Sequence, residues 1–353
     1  MARDGDQELD KLVSESTKEV DGLKVESKIH RLERELNQYK SRQKTLLDDN
    51  ERLQVLLDLK SVFEEHEPTK IFGEQYCHTS KSPVAAIVPL SDWHVEERVD
   101  KKKTNGLNEY NPDIAMRRAE RTFRMIVEYI RRYTPAARIL ILALLGDFIT
   151  GYIHEDLRLS NYMPPSQALL LAYDLLVEGI EEILAANIVD EIIVPTAVGN
   201  HGRTGEKQLV QMSEETSFEW LMYHMIARHF KGNDKITFIV SDTYLNHVNI
   251  FGRTIRFHHG EAIRYNGGVG GPTISANKKI AGWNKSPIKA ELDVFGHLHT
   301  FFNGGDFVMN GSLIGSGAYS QKHAFPFEPP TQAFIGFSQS RGQYMTAKIY
   351  ADD

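Results

Sequence analysis

The chain has 353 residues, 41 lysines and arginines against 48 aspartates and glutamates, a formal net charge of −7 and one cysteine. That length holds one large α/β domain and an appendage, while the acidic balance argues against a protein that simply coats nucleic acid. The lone Cys77 excludes an internal disulfide framework and fits a reducing, cytoplasmic setting.

The opening residues, Met1-Ala2-Arg3-Asp4-Gly5-Asp6, are charged and lack the apolar stretch of a signal peptide. No apolar run reaches the length of a bilayer span, so no membrane partner is expected. Residues 1–24 are polar and acidic and read as a mobile tail.

Residues 25–67 read as a coiled-coil helix. Ile29, Leu32, Leu36, Tyr39, Gln43, Leu46, Asn50, Leu53 and Leu57 alternate spacings of three and four, the a/d seam of a coiled coil. In a parallel pair Lys28 at g would face Glu33 at e, and Glu35 would face Lys40. Asn50 at an a position favours two strands in register. The expectation is a homodimer through this helix; the alternative is a lone amphipathic helix packed on the domain. Pro68 should end the helix near Glu67. Residues 68–82 read as a linker, and 83–353 as one folded domain.

Val84–Leu90 is an apolar, β-rich run that ends in Ser91-Asp92-Trp93-His94. On an extended segment Asp92 and His94, two apart, project to the same side. A polar insert, 96–109, carries Lys101-Lys102-Lys103. Asn111-Pro112 then caps a helix to about Tyr133. Its Ile114, Phe123, Ile126, Val127 and Ile130 should face a sheet, and Arg117, Arg118 and Arg121 a solvated face. Arg138–Leu145 is a second buried strand, closing on Gly146-Asp147. A carboxylate just past a strand end sits at the rim of the sheet, where ligands bind in open α/β folds, and the glycine lets the backbone turn sharply. Tyr152, His154, Glu155 and Asp156 follow, as an ordinary polar loop or as the mouth of a site.

Pro164-Pro165 opens a helix to about Ala186, and Glu191–Val198 is a third strand, delivering Gly199-Asn200-His201-Gly202-Arg203. An Asn oxygen can ligate a metal without adding negative charge. Glu206–Phe230 reads as a helix with Trp220, Leu221, Met225 and Ile226 as core. Short strands follow at 235–241, 244–250 and 254–259, the last ending in His258-His259-Gly260. Neighbouring strand residues face opposite ways, so one histidine of the two is the candidate, and His259 beside the glycine is preferred. Asn266–Gly271 is a glycine-rich loop that matches no nucleotide-binding pattern. A helix at 273–283 carries Lys278 and Lys279. Leu292–Phe295 leads to Gly296-His297-Leu298-His299, and strands close the chain near 331–338 and 343–350. Taken singly, each of these stretches is as readily a turn.

Jointly they form an ordered series after β-like runs: Asp-x-His, Gly-Asp, Gly-Asn-His, His-Gly, Gly-His-x-His. This resembles the calcineurin-like metallophosphoesterase superfamily over residues 83–320, and Asn310-Gly311-Ser312 is similar to the turn that follows its last motif. The chain looks most like phage- and prophage-encoded members, and more remotely like double-strand-break repair nucleases. The resemblance implies an α/β, four-layer α/β/β/α sandwich preceded by the coiled-coil helix, and a dinuclear site at the strand ends. One ion would be held by Asp92, His94, Asp147 and His299, the other by Asp147, Asn200, His259 and His297, with His201 beside the phosphate. The family's usual preference puts Mn first; the ligand chemistry also suits Fe or Zn. The cations would neutralise phosphate oxygens and activate a bridging water, with His201 protonating the leaving group. The chain departs from the family after His201, where Gly202-Arg203 replaces the usual acid; Arg203 could contact phosphate instead. The implied function is a phosphodiesterase or nuclease acting on DNA or RNA. The alternatives are a phosphomonoesterase on a small molecule or phosphoprotein, and a non-catalytic scaffold.

Overall fold

Strands buried on both faces read as continuous apolar runs, and those of the central sheet are of this kind. In the computed structural model, which describes residues 4–65, 82–153, 155–205, 207–264, 271–323 and 325–352, β1 (Val84–Leu90), β2 (Ala137–Leu144), β3 (Glu191–Pro195) and β4 (Ile236–Ile239) lie parallel. Two antiparallel strands, β10 (Thr331–Ser338) and β11 (Gly342–Tyr350), extend the sheet, giving the order β11-β10-β1-β2-β3-β4. A second mixed sheet joins β5 (Asn246–Ile250), β6 (Arg253–Phe257), β7 (Leu292–Phe295), β9 (Phe307–Met309) and β8 (Phe302–Asn303), in that order.

The alternation of side chains along the central strands divides the core in two. Ala86, Val88, Leu142 and Leu144 pack with α2 (Pro112–Tyr133), α4 (Pro165–Ala186) and α5 (Phe218–His229), the short α3 (Glu155–Ser160) lying between α2 and α4 in the chain. Ala85, Ile87, Ile141 and Ala143 face the other way and pack against Val248, Ile255, Phe257 and Val294 of the second sheet. On the far side of that sheet, Ala276 and Ile280 of α6 (Thr273–Trp283) cover Phe295, Phe307 and Met309. The domain is therefore layered α/β/β/α.

Several elements differ from their sequence expectation. The third strand stops at Pro195, with one further bridge between Leu144 and Thr196. The helix expected from Glu206 begins at Phe218; among residues 207–217 the chain forms turns, pinned by the Arg203–Ser217 bridge. Ser217 caps it, accepting from the Glu219 N–H. Its buried face is Glu219, Met222, Tyr223 and Ile226, so Leu221 and Met225, expected in the core, are exposed. Arg118, expected on a solvated face, is buried: it donates to the Leu313 and Ile314 carbonyls and to Asp352. A buried guanidinium persists only when its donors are met in this way. As expected, Asn111 caps α2, its side chain accepting from the Ile114 N–H at 2.9 Å.

Residues 4–65 form a unit of their own. They are one helix, α1 (Asp4–Glu65), which takes in 4–24, where the sequence predicts a tail. Seam positions Ile29, Leu32, Leu36, Tyr39, Leu46, Leu53 and Leu57 are exposed. No helix among the described residues is long and apolar enough to cross a membrane. The expected linker, save Ser82, lies outside the described residues, as do Cys77, His154 and the glycine-rich loop save Gly271.

Candidate metal centre

The strand ends of both sheets deliver their polar turns to one place. Asp92, His94 and His299 form one group and Asp147, His259 and His297 another; within each, the potential ligand atoms lie within 4.8 Å of one another. The first sheet supplies Asp92, His94 and Asp147 after β1 and β2. The second supplies His259 after β6, and His297 and His299 after β7.

These residues share an uncommon backbone. Asp92 (φ 58°), His94 (φ 49°), Asp147 (φ 56°), His297 (φ 68°) and His299 (φ 52°) all occupy the left-handed region. Non-glycine residues avoid it at a cost of order 1–3 kcal/mol each, and such strain clusters at functional sites. Asp92 and His94 thus reach the site through a strained turn, not by alternation along an extended segment.

Asp147 lies at the junction of the two turns. Gly146 (φ 84°) precedes it, and a Cβ there would fall 2.1 Å from the Gly199 nitrogen; a Cβ on Gly199 would fall 2.0 Å from Asp147 Oδ1. Only two glycines let these turns approach so closely. Asp147 Oδ1 accepts from the His201 N–H at 2.8 Å, and Oδ2 lies 2.9 Å from His259 Nε2.

The donor set fits a cation. His259 Nδ1 donates to the Leu145 carbonyl at 2.7 Å, and because a carbonyl only accepts, Nδ1 carries a hydrogen. That turns Nε2 toward Asp147 Oδ2 and toward Asn200 Oδ1, 3.1 Å away. Three lone-pair atoms meeting so closely require a positive charge, either a proton on the imidazole or a metal. In the other group, His94 Nδ1 meets the Thr150 hydroxyl at 3.1 Å, and its buried Nε2 has no hydrogen-bond partner. His299 Nε2 lies 3.4 Å from Asp92 Oδ1.

The charges divide alike in both groups. The imidazoles beside Asp92 and Asp147 hold both carboxyls below their usual range, well below for Asp147, against the upward pull of burial. Although burial opposes it, Asp147 raises His259 well above an ordinary imidazole, and Asp92 raises His299. Burial drives His94 well down and His297 down to about 3, aided by neighbouring imidazoles.

His201 sits beside the first group, its ring edge-on to His94 at 4.8 Å between centroids. Its Nδ1 donates to the Thr150 carbonyl at 3.0 Å. Arg203 donates to the Asn200 carbonyl at 2.6 Å and to the Gly205 carbonyl at 3.1 Å. His258 turns away, stacked on Phe295 and 3.6 Å from Asp293, which pairs with the buried Arg256.

Five supporting residues, Ser91, Glu96, Glu97, Thr150 and Glu219, have no role assigned by the sequence. The Thr150 hydroxyl contacts His94 and donates to Glu97 at 3.2 Å, while its carbonyl takes His201. Its N–H donates to Glu96, whose carboxyl burial pushes up to about 7. The Ser91 hydroxyl donates to Asp92 Oδ2 at 2.5 Å and accepts from the Asn310 amide at 2.8 Å, which gives the Asn310 turn a role. Glu219 accepts from the Phe148 and Gly199 N–H groups, both at 2.7 Å; burial, with the Asp147 charge, pushes its carboxyl up to about 7. In the sequence it falls inside the helix expected from Glu206, with no signal of its own.

No protein-family model and no curated protein matches the chain. Among solved structures, it is similar to a conserved uncharacterised protein of Streptococcus pneumoniae described as a predicted phosphoesterase (12% identity, 75% of this chain and 97% of that one, TM-score 0.28). It is also similar to zinc-complexed Vps29 of Entamoeba histolytica (10% identity, 76% and 99%, TM-score 0.29). A third similarity is to the sulfate thiohydrolase SoxB of Thermus thermophilus (8% identity, 75% and 56%, TM-score 0.32). Identities this low and TM-scores near 0.3 leave the site to be read from its own geometry.

Proposed function

We propose that the chain is a metal-dependent phosphoesterase of the calcineurin-like metallophosphoesterase superfamily. The observation that carries this reading is the convergence of two acid-and-imidazole groups beside one further histidine, His201. Asp92, His94, Asp147 and His299 would hold one divalent ion, and Asp147, Asn200, His259 and His297 the other. Bound there, with Mn the first expectation and Fe or Zn next, two ions would neutralise phosphate oxygens and lower the pKa of water. The chain's own part is orientation and proton supply. The Leu145 carbonyl fixes the ligand nitrogen of His259, and Thr150 fixes that of His94. His201, with Nδ1 committed to the Thr150 carbonyl, offers Nε2 to the departing oxygen. Arg203, held by two loop carbonyls, adds positive charge beside the phosphate.

For the substrate we favour a phosphodiester of DNA or RNA. Lys101, Lys102, Lys103, Lys278 and Lys279 are exposed and suited to a phosphate backbone. The net charge of −7 favours the second reading, a phosphomonoester. Within the superfamily we put the chain nearest the phage- and prophage-encoded members, on its motifs alone; the single cysteine suits a cytoplasmic location. The exposed seam of α1, with Lys28 opposite Glu33 and Glu35 opposite Lys40, suits a second copy of this chain, pairing two sites.

The test is a side-by-side assay with Mn on bis-p-nitrophenyl phosphate, p-nitrophenyl phosphate, and single- and double-stranded DNA. We expect diester turnover to exceed monoester turnover, DNA affinity to fall steeply with salt, and His201→Ala to lose about 10²–10⁴-fold in turnover. Faster monoester turnover selects the second reading. Absence of both Mn binding and hydrolysis overturns the phosphoesterase itself.

A further inference from the structure

We infer that Glu219 is the positioning residue of this centre: its buried carboxylate locks together the two turns that carry Asp147 and Asn200, in the space that Gly202 leaves open. The inference rests on the metal-site reading above for its consequence, but the lock itself is read from the chain alone.

Parallel strands β2 and β3 are paired from Ile139–Glu191 to Ile141–Ile193, with one more bridge at Leu144–Thr196. The Ala197 N–H donates to the Leu144 carbonyl at 2.8 Å. Beyond that point both chains turn away to present their ligands, and side chains take over the connection. Glu219, fully buried in the first turn of α5, uses one carboxylate oxygen on each turn. Oε1 accepts from the Phe148 N–H, directly after Asp147, and Oε2 from the Gly199 N–H, directly before Asn200, both at 2.7 Å. Hydrogen bonds to a carboxylate are among the stronger ones, and supports of this kind tune metal affinity about 10- to 100-fold.

Gly202 explains how the carboxylate gets in. A Cβ built there lies 2.7 Å from Glu219 Cγ, 2.9 Å from Cδ and 3.1 Å from Oε2. Position 202 and Glu219 therefore compete for one volume. Gly202 is not among the glycines of positive φ, so its backbone admits a side chain once the volume is vacated. An acid carried on residue 202 would then enter the region that the Glu219 acid occupies.

The experiment compares Glu219→Ala, Glu219→Gln, Gly202→Asp and the double variant Gly202→Asp/Glu219→Ala in the full chain. Three readouts are taken: amide hydrogen exchange at Phe148 and Gly199 in the chelated protein, Mn bound per chain, and kcat against KM. Glu219→Ala should speed exchange at both amides and weaken Mn binding about tenfold or more, with kcat falling and KM for substrate nearly unchanged. Gly202→Asp alone should also lose Mn, and the double variant should regain at least half of the loss. Should Glu219→Ala not fold, Glu219→Gln, which keeps the shape but offers one acceptor, should free one of the two amides. Slow exchange at both amides in Glu219→Ala or Glu219→Gln overturns the inference, as does a double variant no better than its worse parent. A wild-type chain that binds no Mn, yet shows the exchange pattern, refutes the metal reading and leaves the lock standing.

Discussion

The Asp92–His94–His299 and Asp147–His259–His297 groups are made of the same parts and supported by different means. Each sets a lowered acid against an imidazole raised above its usual value and holds a second imidazole below it. In the first, Asp92 and His299 are 3.4 Å apart and His299 is 31% exposed; Asp92 accepts from the backbone His297 N–H at 3.0 Å, and Asp92 and His94 each also lean on a side-chain hydroxyl, Ser91 and Thr150. In the second, Asp147 and His259 are 2.9 Å apart and buried, and the supports are backbone: the Leu145 carbonyl for His259 and the His201 N–H for Asp147. Backbone supports are fixed by the fold, whereas hydroxyls can be removed singly. The added hydroxyl supports should thus make the first group the more adjustable of the two.

The largest effect should come where the groups share a ligand. If Asp147 serves both ions, Asp147→Asn should lower Mn content at both groups and reduce turnover by about 10³-fold, the scale of losing a main electrostatic contributor. Retention of one full equivalent of Mn would assign Asp147 to the second group alone. Next comes Thr150→Val, which removes the hydroxyl but leaves the N–H and carbonyl in place. Mn affinity of the first group should fall about 10- to 100-fold, while one tightly bound Mn per chain persists. Titration with Mn, followed by calorimetry, separates the two classes; equal weakening of both would erase the distinction.

A smaller effect concerns pH. His259 and His299 are raised, so in the chelated chain their stabilisation is complete below the ordinary imidazole value of about 6.5 and is lost as pH climbs through their higher folded values. His94 and His297 are lowered, so their contribution is present above about 6.5 and is lost as pH falls toward their folded values. The chelated protein should therefore melt highest near pH 6.5 and lose stability on both sides. With Mn, which needs all four imidazoles neutral, the alkaline fall should disappear. Melting curves from pH 5 to 9, with and without Mn, check this, and His259→Gln should flatten most of the alkaline fall because its group is the more buried.

What could be read from the sequence follows the same division. Asp92, His94, Asp147, His259, His297 and His299, singled out by the order of ligand-type residues after β-like runs and its resemblance to a known family, are the residues that the structure brings into two groups. The alternation of strands and helices was legible in the apolar runs, since strands buried on both faces leave no polar alternation, and the four layers were implied by the resemblance. The supports were not. Glu219, Thr150 and Arg118 act on partners far away in the chain, and nothing local distinguishes them from an ordinary helix start, loop threonine or surface arginine. The start of α5 was misread because polar residues 207–217 fit a helical pattern, while the Arg203–Ser217 bridge holds them as turns.

The least effect on turnover, and the largest on assembly, is expected from α1. Its seam of Ile29, Leu32, Leu36, Tyr39, Leu46 and Leu53 stands exposed along a 62-residue helix, and an isolated helix draws most of its stability from packing an apolar face. Placing lysines at two seam positions, Leu36→Lys and Leu46→Lys, sets like charges against one another at the centre of a paired seam. If the proposed pairing holds, light scattering should report a dimer for the wild type and monomers for the variant, and helical signal should fall as α1 loses its partner. Turnover of a small diester per chain should stay within about twofold, because the proposed metal ligands and their supports alike belong to residues 91–310. Affinity for long DNA should fall further, since two linked sites bind one strand at high effective concentration. A wild type that is already monomeric at micromolar concentration would remove the pairing from the account and leave both metal groups untouched.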